Sequence, residues 1–134
     1  MAAGTAPIFE AAIKDWGVSF ASGDTTTIKD IATGLTTGNA AGSRVDAVYV
    51  STNDTTAVNL AFYLYDGSTA WYLCNVNVPI GSGYTTVARV EAMGTLAPSL
   101  GYLVLPNGWK LQANCVATMT TGKITTVIAT GGDY

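Results

Sequence analysis

The segment AVNLAFYLYDG (57–67) constrains the chain more than any other. Val58, Leu60, Phe62 and Leu64 fall on one side of a period of two; Asn59, Ala61, Tyr63 and Tyr65 fall on the other. Only an extended strand sorts residues this way, one face toward a core and one away from it. Asp66-Gly67 then begins a hairpin turn. STAWYLCNVNVPI (68–80) returns, with Cys74, Val76, Val78 and Ile80 on one face and Asn75 and Asn77 on the other. The same grammar runs through the rest. TTTIKDIA (25–32) is a first strand rich in β-branched residues, GLTTGNAAGS is a glycine-bearing loop, SRVDAVYVST (43–52) is a second strand and TNDT is a turn. GSGY precedes a strand in TTVARVEAM (85–93), and residues 102–105 form a short one. Pro106-Asn107-Gly108 is turn chemistry. Trp109, Leu111, Ala113 and Cys115 alternate against Lys110, Gln112 and Asn114; after Thr121-Gly122, KITTVIAT (123–130) is the last strand. About eight short strands and no helix-period segment predict an all-β antiparallel β-sandwich or barrel, and an eight-stranded jelly roll fits that number best. An immunoglobulin-like sandwich is the alternative, without its Cys-Trp-Cys spacing here.

Residues 1–24 read differently. Ile8, Phe9, Ile13, Trp16, Val18 and Phe20 are interspersed with Ala, Gly and Ser, and Gly17 and Gly23 follow FEAAIKDW with no strong helix cap. The reading is an irregular N-terminal arm, or an irregular first strand, ahead of a β-sandwich domain over 25–134. Such an arm buries its apolar residues either on its own domain or on a neighbour.

Only 11% of residues are charged, against about 25% in an ordinary soluble domain. Yet 49% are hydrophobic, and no apolar run approaches the roughly 20 residues that span a bilayer. Neutral Thr, Ser, Asn and Gly cover part of that surface; burial against partners accounts for more, since interface cores are depleted of charge. The 134 residues suit one domain with its own core. The net charge is −3, and the six Lys and Arg never cluster, so the basic stripe that binds nucleic acid is missing. The start, MAAGTAPIFEAAIKDWG, lacks a charged n-region and an apolar h-region, so no secretory leader is expected.

Histidine is absent, which removes Ser-His-Asp and Cys-His catalysis and His-ligated metal sites. Cys74 and Cys115 read as buried thiols; a disulfide requires that their strands be neighbours. There is no P-loop. The nine carboxylates show no pair by spacing of the kind a glycosidase needs. Asp24, Asp54 and Asp66 sit at turn-like positions, and NDTT and DGST are too sparse for calcium. No catalytic residue, cofactor or metal is expected. Trp71, Tyr72, Tyr63, Tyr65 and Tyr84 offer either a sugar-stacking platform or cross-strand and oligomer packing.

GSRVDAVYV (42–50), LAFYLYDGSTAWYL (60–73), LVLPNGWKLQA (103–113) and VIATGGDY (127–134) follow one another in an order that resembles a group of small phage and prophage proteins. That group looks like the jelly-roll capsid decoration, or cement, proteins of tailed phages, and the similarity runs from Gly42 to Tyr134. The resemblance implies a non-enzymatic virion protein, made in the host cytoplasm, on the outer surface of the assembled capsid. Its partners would be the major capsid protein and further copies of itself, as a homodimer or homotrimer. The group itself does not assign the contacts; the apolar N-terminal residues Ile8, Phe9, Ile13, Trp16 and Phe20 are the expected capsid or neighbour contacts. Tyr63, Tyr65, Asp133 and Tyr134 are expected at a subunit interface. The alternative is a tail-associated module that binds host glycans through exposed aromatics.

Overall fold

The computed structural model describes residues 12–36 and 42–133. Nine strands form two antiparallel sheets, a β-sandwich. They are β1 (Ala12–Ala21), β2 (Lys29–Thr33), β3 (Ser43–Thr52), β4 (Val58–Tyr65), β5 (Ala70–Val78), β6 (Val90–Glu91), β7 (Leu103–Leu105), β8 (Lys110–Cys115) and β9 (Ile124–Asp133), with a four-residue helix α1 (Met93–Leu96) between β6 and β7. The five-stranded sheet runs β1-β9-β3-β6, with β7 also on β3; the four-stranded sheet runs β2-β8-β4-β5. The pairing is nested. The first strand pairs with the last, β2 with β8, β3 with β7, and β4 with β5 at the central hairpin.

The period-two residues build the core. Val58, Leu60 and Phe62 of β4 meet Leu111, Ala113 and Cys115 of β8 and Val76 and Val78 of β5 in one buried cluster. Val45, Val48 and Val50 of β3 and Val127 and Ala129 of β9 close it from the other sheet. Burying each such side chain is worth about 1.5–3 kcal/mol, and this two-faced burial fixes the register of the long strands.

Three expectations change. Over Ala12–Ala21 the chain is not an irregular arm but a regular ten-residue strand paired throughout with β9. Alternation explains it: Trp16, Val18 and Phe20 share one side, and Phe20 is fully buried. The strand expected over 25–32 begins only at Lys29, because Ser22–Asp24 form a 3-10 turn and Thr25 takes φ 52°. The strand expected over 85–93 shrinks to Val90–Glu91. After Glu91 the chain coils into α1, where Met93 and Leu96 are buried.

Candidate functional site

Three of the motifs that carried the resemblance, those around Ser43, Leu105 and Asp133, meet at one end of the five-stranded sheet, and there they serve the fold. Ser43 Oγ donates to Asp133 Oδ1 (2.5 Å) and accepts from the Leu35 N–H (3.0 Å). Lys14 Nζ lies 3.5 Å from Asp133 Oδ2. Gly131 sits beside the bulge in β3, between Val45 and Ala47, where a Cβ would meet the Arg44 carbonyl oxygen at 1.8 Å. Gly42, at φ 106°, is pressed in the same way against Leu105 O. Asp133 is therefore buried and hydrogen-bonded within its own chain, as a carboxylate removed from water needs its donors close by. Tyr134, Ile8 and Phe9 lie outside the described residues.

Three further carboxylates, Asp54, Asp66 and Asp30, also hold turns and ladders. Asp54 accepts from the N–H and hydroxyl of Thr120 and of Thr56, tying the β3–β4 turn to the β8–β9 loop. Burial pushes its pKa up, but these four donors outweigh it and hold the carboxyl at about 2. Asp66 receives the N–H groups of Thr69 and Ser68 and the indole of Trp71, which hold it far below the usual carboxylate range. Asp30 accepts from Lys110 (2.9 Å) and Gln112 (2.7 Å) across β2–β8. Among the described residues, no three His, Cys, Asp or Glu side chains come together to hold a metal ion. Cys74 and Cys115 flank β4 from opposite sides, opposite Phe62 and Leu60 respectively, so a strand separates them and no disulfide is within reach. Desolvation raises the Cys115 thiol to about 11 and raises Cys74 as well.

What remains for binding is surface. On the outer face of the four-stranded sheet, Tyr63 stands opposite Tyr72 and Gln112, and Tyr65 opposite Ala70 and Lys110. The Tyr63 and Tyr72 rings meet edge-on at 5.9 Å. Trp71 is 57% and Tyr72 58% exposed; Tyr63 and Tyr65 are half-buried. A bulge after Phe62 inserts Leu73 and brings these rings into register. Tyr84 lies apart, in the loop whose Gly83 rests on Ser51 of the other sheet.

The outer face of the five-stranded sheet is different. Gly17, Ile128 and Tyr49 form one row across β1, β9 and β3; Ser19, Thr126 and Ser51 form the next. Charge is sparse there, with Asp15 on one side and Glu91 and the Arg44–Asp46 pair on the other. Arg89 stacks over Tyr49 at 3.9 Å. Ile13 is 89% exposed, and Ile124 and Ile128 are also exposed. Of the residues expected to contact a neighbour, the structure puts Ile13 outermost, leaves Trp16 half-buried on the inner side, and seals Phe20 in the core. Phe20 is thereby corrected from a contact to a core residue.

Fold and surfaces together define a two-sheet antiparallel sandwich whose prominent features are two outer faces and a sheet edge. Nothing matches this chain among known protein families, curated proteins or solved structures. Among the described residues, no helix is long and apolar enough to cross a membrane.

Proposed function

We propose that the protein is a structural, non-enzymatic virion component, a decoration or cement protein. It binds the outer surface of an assembled phage capsid through the major capsid protein and stabilises the shell as a homo-oligomer. The observation that carries this reading is the outer face of the five-stranded sheet: neutral residues across β1, β9 and β3, exposed Ile13, Ile124 and Ile128, and few charges, Arg89 over Tyr49 among them. A low-charge surface with exposed apolar residues suits burial against another protein. The nested strand pairing supports reading the sandwich as a jelly roll, with β6 and β7 sharing one strand position. This agrees with the architecture implied by the resemblance.

The test is co-sedimentation of the purified protein with mature, expanded heads that lack it, with unexpanded heads as the control. Saturable binding to expanded heads at a fixed ratio per capsid subunit is expected; no binding to either form rejects the reading. The exposed Tyr72 against Tyr63 favours a second one, a tail-associated glycan-binding module. Aromatic rings in that setting offer apolar area with polar handles. Titration with host polysaccharide, read by tryptophan fluorescence, separates it from the first.

A further inference from the structure

The strand β1 ends the five-stranded sheet, and one side of it pairs with no other strand among the described residues. Which backbone groups face outward follows from three observations. The Ser19 carbonyl accepts from Lys29 Nζ (2.8 Å), and the Ala21 N–H donates to Asp24 Oδ2 (2.8 Å). On β9, Ile124 turns its carbonyl toward the β3 side, to Asn53. Residues 124, 126, 128 and 130 therefore point to β3, and the alternate residues of β9 point to β1. Their partners Phe20, Val18, Trp16 and Lys14 face β9 in turn. That leaves Ile13, Asp15, Gly17 and Ser19 with backbone groups turned to the edge. Past Gly17 the edge is partly closed by Lys29 and Asp24; from Ala12 to Gly17 no described group bonds to it.

Gly17 is the second observation. A glycine inside a strand weakens it and marks a place where another backbone comes close. Here the chain itself supplies no reason for one: Gly17 has no positive φ, and a Cβ on it would meet nothing nearer than Val127 O at 3.8 Å.

We propose that a second copy of this chain pairs along the open edge, β1 antiparallel to β1, to make one continuous sheet across the dimer. The register follows from the groups present. Centring the two-fold on Asp15 places like charges opposite one another, and centring it on Lys14 does the same. Centring it on Gly17 requires the Ser19 carbonyl and the Ala21 N–H, both already engaged. Centring it on Trp16 avoids the facing like charges and the Ala21 N–H, and leaves the Ser19 carbonyl with Lys29 while the Ser19 N–H pairs. Asp15 then exchanges hydrogen bonds with Gly17 of the other copy, Ile13 accepts from the Ser19 N–H, and the two Trp16 rings meet on the inner side. The missing side chain at Gly17 makes room for Asp15. Asp15 makes no ion pair among the described residues.

This inference gives a surface to the homo-oligomer of the proposed function, but its test uses the purified protein without capsids, so either can fail alone. Sedimentation equilibrium is expected to give twice the chain mass. Mixing Asp15→Cys chains with Gly17→Cys chains under mild oxidation should give a disulfide-linked heterodimer, since hydrogen-bonded partners lie about 5.5 Å apart. Asp15→Cys chains alone should not link. Gly17→Pro removes an N–H that faces the partner and none that faces β9, and should weaken self-association about tenfold or more. A monomer at every concentration, or a dimer in which the mixed cysteines fail to link, overturns the proposal.

Discussion

Ser43 and Asp133 lie ninety positions apart in sequence, yet their side chains share a 2.5 Å hydrogen bond in the buried end of the five-stranded sheet. Ser43→Ala would take the hydroxyl donor from Asp133 Oδ1 and leave the Leu35 N–H without its acceptor. A loss of about 2–3 kcal/mol is expected, measured by urea denaturation. Gly131→Ala, which forces a Cβ against the Arg44 carbonyl, should cost more, about 4 kcal/mol or enough to prevent folding.

Asp54 makes stability depend on acid. Its folded-state pKa, near 2, lies below the value of about 3.9 in an unfolded chain, so ionised Asp54 favours the folded state above pH 4. That contribution, about 2 kcal/mol, fades as pH falls from 4 toward 2. Denaturation curves for Asp54→Asn should show a stability deficit at pH 7 that narrows across this window. A deficit constant with pH would refute the assignment.

Phe20 distinguishes a strand from an arm. Phe20→Ala should cost about 3–5 kcal/mol, as for any large side chain removed from a core. Truncation through residue 20 should likewise unfold the sandwich rather than merely detach it from a partner. Far-ultraviolet circular dichroism and a thermal melt report both.

Thr25 is held at φ 52°, a backbone region that β-branched residues avoid. Thr25→Gly should relieve this and raise stability by about 1 kcal/mol. A melt that moves down would show that the hydroxyl or methyl group contributes more than the strain removes.

The thiols give a chemical check. At pH 8 Cys115, raised to about 11, should resist thiol reagents in the native protein and react only on unfolding. Oxidation should leave Cys74 and Cys115 unlinked, as read by mass spectrometry without reduction.

Much of the architecture was legible from alternation alone. The residues 43–52, 58–65 and 110–115 announce their strands and their buried faces, because a side-chain period of two is local and the core enforces it. The absence of histidine was equally decisive for the chemistries it removes. Other features required the tertiary structure. That Ala12–Ala21 is a strand depends on finding β9 beside it, a partner more than a hundred residues away. That Asp133 and Gly131 serve the fold, that Tyr84 stands apart from Tyr63 and Tyr72, and that β4 separates Cys74 from Cys115 are all consequences of strand order. Periodicity says which side of a strand is buried. It does not say which strand comes next to it, and in a nested antiparallel sandwich nearly every contact that gives a side chain its role comes from that neighbour.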